Sequence, residues 1–383
     1  MFRRICQPLQ HQSFFLFGAR ATGKSTFLRH YLPGDEVEWI DLLDPELEMR
    51  YQRQPRLFYD QVRRSQATWI VVDEIQKCPQ LLNYVHKLIE ESGPKFALTG
   101  SSARKLKRGA ANLLAGRALL NHLFPLTAKE LDSSFSLESA LHWGTLPALS
   151  ALANDLQKRA YLSSYAHVYL KEEILAEQLI RKVQPFHHFL EVAAQCQASQ
   201  LSFRKLSREI GVDGKTVQNY FEILEDTLVG FLLYPHHSSL RKSIQQMPKF
   251  YFFDLGVQRA LARSLDSRFS AATSAFGEAF EAWIILEIHR QNSYAGQPFR
   301  LEYFSDGRNE IDLILTGGRR KIAIEIKSTV SLEDSVVSKF ARLTDSLEMT
   351  DRYLLSQDPI SRDQDGVRCR SWQEGLAQLF SHG

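Results

Sequence analysis

The segment Gly18-Ala-Arg-Ala-Thr-Gly-Lys-Ser25 sets two glycines, a lysine and a hydroxyl at the spacing that holds a polyphosphate. Successive backbone N–H groups in such a loop cradle phosphate oxygens, and the helix that follows adds partial positive charge at its N-terminus. In that chemistry Gly18 and Gly23 shape the loop and Lys24 reaches the β- and γ-phosphates. Ser25 gives its hydroxyl to Mg2+, and Thr26 opens the helix behind it. The expected ligand is ATP with Mg2+. About 50 residues further on, Trp69-Ile-Val-Val-Asp-Glu74 ends in two acids. There Asp73 would hold the hydration shell of Mg2+ and Glu74 would polarise the attacking water as general base. Paired acids at a strand end also occur as simple solvated caps.

These residues need a scaffold that brings distant strand ends together. Phe14 to Phe17 reads as a strand leading into the loop, Thr26 to Tyr31 as the helix leaving it, and Val37 to Leu42 as a second strand. Trp69 to Asp73 is a buried-strand run, and Phe96-Ala-Leu-Thr-Gly100 is another, ending at Ser101-Ser102. A hydroxyl there could sit between the two acids and the γ-phosphate, so Ser101 is read as a sensor of the nucleotide. The other reading is a helix N-cap for the helix-like Ala103 to Leu106.

Together with Leu114-Ala-Gly-Arg117, these motifs resemble the AAA+ ATPases of bacteria and archaea that carry a C-terminal domain of restriction-endonuclease-like fold. The resemblance implies an α/β P-loop core, a helical lid, a winged-helix module and that C-terminal α/β domain. It also implies that Arg117, just before the fifth strand, reaches the neighbouring subunit's nucleotide as an arginine finger. Hydrolysis would then need a homo-oligomer, foremost a hexamer. A surface arginine paired with a nearby acid is the alternative.

From Ala128 to Arg181 apolar residues recur at helical spacing, and the loop Gly144-Thr-Leu-Pro147 and the segment Tyr161 to Ile174 resemble the family's lid. Helices are expected at His187 to Ala198, Phe203 to Ile210 and Thr216 to Asp226, with Gly211 to Gly214 as the turn between the last two. That is helix-turn-helix spacing, with Val229 to Tyr234 and the His236-His237 loop as a wing. Lys215, Thr216, Gln218 and Asn219 would face DNA, or the module would serve as a lid or subunit contact. The basic cluster Arg104, Lys105, Lys107 and Arg108 either meets phosphates in a pore or forms a solvated helix face.

In the last part, a helix from about Phe276 to Arg290 carries Glu278 and Glu281 one turn apart. Glu310-Ile-Asp-Leu-Ile-Leu315 and Lys321-Ile-Ala-Ile-Glu-Ile-Lys327 then alternate charged and apolar residues, as two strands with one polar face would. Helix acid, strand Asp and Glu-x-Lys is the order seen in PD-(D/E)xK nucleases. That resemblance makes Glu281, Asp312 and Glu325 the Mg2+ ligands and Lys327 the residue that orients water, chemistry suited to hard oxygen donors beside a cation. A solvated sheet face, or a nuclease fold that only binds, is the competing reading. The expected parts are residues 1–127, 128–184, 185–244 and 245–383.

The bulk properties add limits. A chain of 383 residues can hold two to four domains, and its net charge of +3 is too small to argue for DNA by itself, so any basic surface must be local. Four cysteines without metal or disulfide spacing fit a reducing cytoplasm. No apolar run approaches the roughly 20 residues that cross a bilayer, and no signal-like apolar stretch follows Met1-Phe-Arg-Arg4, so a cytoplasmic protein away from membranes is expected.

Overall fold

The computed structural model describes residues 2–102, 114, 116–169, 183–237, 247–271, 273–296 and 298–380. The basic cluster Arg104 to Arg108, the end of the Tyr161 to Ile174 segment and the residues just after His237 lie outside these. The chain divides into two compact units. Residues 1–126, 146–148 and 224–229 form the first, and residues 127–145, 149–223 and 230–383 the second.

In the first unit, β1 (Ser13–Phe17), β2 (Val37–Asp41), β3 (Trp69–Asp73), β4 (Lys95–Gly100) and β5 (Ala118–His122) form one parallel sheet in the order β2-β3-β4-β1-β5. The central strands β1, β3 and β4 are apolar on both faces, as a sheet covered on both sides demands. On one face Tyr51, Phe58, Val62, Leu82 and Val85 pack on Ile70, Val72, Phe96 and Leu98. The helix carrying Tyr51 starts by a local rule: Pro45 is its first residue and the Asp44 carboxylate accepts from Glu46 N at 2.9 Å. Because all five strands are parallel, the C-terminal ends of β1, β3 and β4 lie along one edge, where ligands of open α/β sheets bind.

The second unit is built on an eight-stranded mixed sheet. Its strands are β6 (Gly230–Pro235), β7 (Lys249–Phe252), β8 (Arg300–Ser305), β9 (Glu310–Gly317), β10 (Arg320–Ile326), β11 (Asp351–Ser356), β12 (Arg362–Gln364) and β13 (Val367–Ser371), in the order β12-β13-β11-β10-β9-β8-β6-β7. The alternation read from the sequence holds along β10, whereas in β9 an extra residue opposite Glu302–Phe304 shifts the register between Ile311 and Ile314 and interrupts it. Leu313, Leu315, Ile322 and Ile324 pack with Phe280 and Trp283 of a long helix, Ser274–Tyr294, while Ile311, Ile314 and Ala323 pack with Val337 and Phe340 of the helix Asp334–Asp345. Helices also form at Val183–Gln195, Phe203–Ile210 and Gly214–Asp226, and Gly211 ends the second of them. The Val229 to Tyr234 segment that the sequence offers as a wing forms β6, which pairs with β7 and runs on into the large sheet. Tyr234 and Pro235 of β6 pair in parallel with Glu302 and Tyr303 of β8.

One buried polar network ties distant parts of this unit. Asp254 caps the helix Leu255–Leu261 and accepts from Thr145 N at 2.7 Å, while Arg290 donates to Thr145 Oγ1 and Phe253 O. Gly256 is required here, because a Cβ would stand 1.8 Å from Trp143 O. Glu287, fully buried, accepts from Ala128 N and lies 3.4 Å from Arg290. Burial pushes its carboxyl up to about 7 against the pull of that guanidinium.

Candidate functional site

The phosphate loop follows β1 and feeds the helix Lys24–Tyr31, as its residue types require. Gly18 passes so close to the strand-end backbone that a Cβ would meet Leu123 O at 2.3 Å. Lys24 is 7% exposed and its ammonium donates to Gly18 O at 2.8 Å, so the cation lies along the inner curve of the loop. Arg4, from the segment before β1, donates to Thr22 O at 3.1 Å and so braces the loop from outside. Pro147 of the Gly144 to Pro147 loop sits next to Gly23.

The two nucleotide motifs meet. Ser25 Oγ donates to Asp73 Oδ2 at 2.6 Å, joining the helix start to the end of β3 across the position of β4. The other Asp73 oxygen accepts from the Thr99 hydroxyl, and the same hydroxyl accepts from Glu74 N at 3.1 Å. Thr99 is fully buried near the end of β4. Glu74 itself stands at φ 58°, a left-handed conformation uncommon for a side chain larger than glycine. Its carboxylate accepts from the Gln76 amide, which also donates to Ser101 Oγ at 3.1 Å. Ser101 is therefore linked to Glu74 through Gln76, and the hydroxyl directly on the Asp73 acid is that of Thr99. Neither Thr99 nor Gln76 stood out in the sequence. The signal for Thr99 was its place beside Gly100 at the end of a strand adjacent to β3.

Arg117 stands immediately before β5, whose first residue Ala118 pairs with Ser13 at the start of β1. The phosphate loop leaves the other end of β1, roughly 16 Å away at about 3.3 Å per residue. Arg117 pairs with Glu90, with both side chains substantially exposed.

In the second unit, Asp312 comes one position before Leu313 and Glu325 one position after its antiparallel partner Ile324, so they lie opposite one another on one face. Asp312 Oδ2 accepts from Ile326 N at 2.7 Å, and Lys327 Nζ is 2.6 Å from Glu325 Oε1. Glu281 turns toward this face whereas Glu278 is exposed. The unforeseen member is Lys249 of β7, which bonds Glu310 and lies 3.7 Å from Glu281 Oε1. Burial and mutual repulsion raise the acids: Glu281 is pushed up to about 8, by burial and then Asp312, and Glu325 to about 7, by burial and then Asp312. Burial raises Asp312 as well. Burial alone would lower both lysines, but Glu281 and Glu310 raise Lys249, and Asp312 and Glu325 raise Lys327. Among the described residues no three His, Cys, Asp or Glu side chains converge as a metal-ligand set, so the acids as arranged do not fit a metal centre. The lysines occupy the cationic positions instead.

Residues 10–132 match the family described as "AAA domain", residues 134–268 one described as "Domain of unknown function (DUF8612)", and residues 276–368 one described as "Domain of unknown function (DUF4143)". Uncharacterized protein Rv2008c of Mycobacterium tuberculosis is 25% identical over 280 residues, which cover 72% of this chain and 62% of that protein. The match thus spans under two thirds of that relative's length. Uncharacterized protein MJ1544 of Methanocaldococcus jannaschii is 20% identical over 336 residues, covering 80% of this chain and 73% of that one. Among solved structures, the Orc1 protein of Aeropyrum pernix in complex with DNA aligns at 10% identity over 66% of this chain and 86% of that one, with a TM-score of 0.31. That score is too low to carry an argument. No described helix is long and apolar enough to cross a membrane. The AAA-domain match over residues 10–132 coincides with the parallel sheet, the phosphate loop and the Ser25–Asp73 contact, and together they support an AAA+ P-loop ATPase core in this chain.

Proposed function

We propose that the chain is an Mg2+-dependent AAA+ ATPase that works as a homo-oligomer in the cytoplasm and couples ATP hydrolysis to binding or remodelling of DNA. The observation that carries the ATPase reading is the 2.6 Å contact between Ser25 and Asp73, which gathers two hard oxygen donors beside the phosphate loop. Mg2+ held there would neutralise charge on the β- and γ-phosphates. Gly18, Gly23 and Thr26 shape the phosphate cradle with Lys24, and Lys24 leaves the loop carbonyls for phosphate oxygens. Thr99 fixes Asp73 and the backbone of Glu74, so that the Glu74 carboxylate orients the attacking water and accepts its proton. Ser101 and Gln76 restrain that carboxylate. Arg117, at the sheet end away from its own loop, serves the nucleotide of a neighbouring subunit, and Glu90 holds it until the subunits meet.

DNA contact is favoured by the helix pair Phe203–Ile210 and Gly214–Asp226, read as the core of a winged-helix module, on which Arg204, Lys205, Arg208 and Lys215 are all exposed. The test is ATP turnover by purified protein with and without duplex, single-stranded and four-way-junction DNA, with Lys24→Ala as control. DNA-stimulated turnover that Lys24→Ala abolishes is expected, and turnover unchanged by that substitution would overturn the ATPase reading. Turnover indifferent to every DNA would leave an ATP-driven switch with a protein partner.

A second reading, a metal-dependent nuclease of restriction-endonuclease-like fold in the C-terminal domain, requires the acids to rearrange from the set seen here, and is favoured by Asp312 and Glu325 facing one another beside Lys327. Cleavage of labelled DNA in the same tubes tests it, with loss of cleavage in Asp312→Ala and Lys327→Ala as the expected result.

A further inference from the structure

Glu281, Glu310, Asp312 and Glu325 come from one helix and two strands into a single electrostatic neighbourhood. Asp312 is buried, Glu281 and Glu325 are partly buried and Glu310 stands at the exposed edge, and carboxylates this close persist only with cations or protons to offset them. Lys327 serves Glu325 from the open side, its side chain 41% exposed. Lys249 is different in kind. Its side chain is 5% exposed, its ammonium bonds Glu310 and lies 3.7 Å from Glu281, and it stands 5.2 Å from the centre of the Tyr303 ring. It comes from β7, three places from β9 in the strand order, so it enters from outside the β9–β10 pair that carries the acids. Two further polar groups at the centre lack partners: the hydroxyl of fully buried Tyr251 and Glu325 Oε2.

We propose that Lys249 is a resident cation standing where a divalent metal ion would otherwise sit, a positioning residue that bridges Glu281 to Glu310 and keeps the acids from converging as ligands. An ammonium carries one charge and donates hydrogen bonds; a divalent ion carries two and draws oxygens into its own shell. For such an ion to enter, the ammonium must leave both carboxylates and remain buried without a counterion. Metal binding therefore competes with the lysine. Lys249→Met keeps the length of the stem and its packing on Tyr303 while removing the charge, and Lys249→Arg keeps the charge.

The test is Mn2+ titration of the nucleotide-free 383-residue chain by calorimetry, with thermal unfolding in parallel. Lys249→Met is expected to bind Mn2+ at least about tenfold more tightly than wild type, a change of about 1.4 kcal/mol. Lys249→Arg should match wild type, and adding Asp312→Asn to Lys249→Met should erase the gain. Mn2+ should also raise the melting temperature of Lys249→Met more than that of wild type, and a variant that folds only with Mn2+ supports the proposal equally. A folded Lys249→Met whose Mn2+ affinity stays within threefold of wild type, or falls, overturns it. So does a variant unfolded with and without Mn2+, because the ion then cannot replace the ammonium. The proposal stands apart from the ATPase reading and shares only its acids with the nuclease reading. Mn2+ bound to Lys249→Met without cleavage by any form would sink the nuclease reading alone.

Discussion

Thr99 offers the sharpest trial of the nucleotide site, because its hydroxyl performs two tasks at once in a fully buried place. It donates to Asp73 and accepts from Glu74 N at 3.1 Å, where the backbone is already held at φ 58°. Thr99→Val preserves the shape and deletes the oxygen. A hydrogen bond to a charged carboxylate contributes about 1.5–3 kcal/mol, and a buried N–H left without a partner costs about 1–3 kcal/mol. If about 2 kcal/mol of that loss falls on the orientation of Asp73 and Glu74 in the transition state, kcat drops roughly 30-fold. Nucleotide affinity should change by less than about threefold, since the phosphate cradle is formed by β1 and the loop after it. Phosphate release measured over a range of ATP concentrations separates the two, and Thr99→Ser, which restores the hydroxyl, should recover most of the rate. Thr99→Val turning over ATP at the wild-type kcat would refute the reasoning, because Asp73 and Glu74 would then need no support from β4.

Other outcomes follow from the same geometry. Arg117→Ala and Lys24→Ala should each be nearly inactive alone, yet mixing them should restore turnover, since one supplies an intact site and the other an intact arginine; no recovery on mixing and re-equilibration would mean that Arg117 does not act between subunits. Glu287 has its folded value raised to about 7 from an ordinary carboxyl near 4.5, so the folded state holds the proton more tightly and stability falls as pH rises between those values. The full effect is at most about 3 kcal/mol, and Glu287→Gln should flatten the decline in melting temperature from pH 5 to pH 7.5; an unchanged slope would show that Arg290 keeps the carboxylate ionised.

What could be read from the sequence was what local spacing encodes. The phosphate loop, the acids ending β3 and the alternation in β10 are each contained within about eight residues, and the structure has all three, while the shift in β9 depends on its pairing with β8. Ser101 is the hydroxyl that the strand end offers in the sequence, and only the pairing of β3 with β4 shows that Thr99 is the one facing Asp73. Lys249 could not be foreseen beside Glu310. The two are 61 residues apart, and their meeting depends on how β6 and β8 join. The continuation of the β6–β7 hairpin into the large sheet is hidden for the same reason, since a two-residue parallel contact leaves no pattern in composition.

The contact between Thr145 and Asp254 also sets a timetable for synthesis. The acceptor lies 109 residues after the donor, and the Glu287 that receives Ala128 N lies 159 residues after it. At about 5–20 residues per second, residues 127–145 leave the ribosome roughly 5–30 s before their partners exist. The five strands of the first unit have all been made by residue 122, so that sheet can close while the following segment still waits. For that interval the helix Leu137–Trp143, with Ala140, Leu141 and Trp143 destined for burial, is a bare apolar segment open to chaperones.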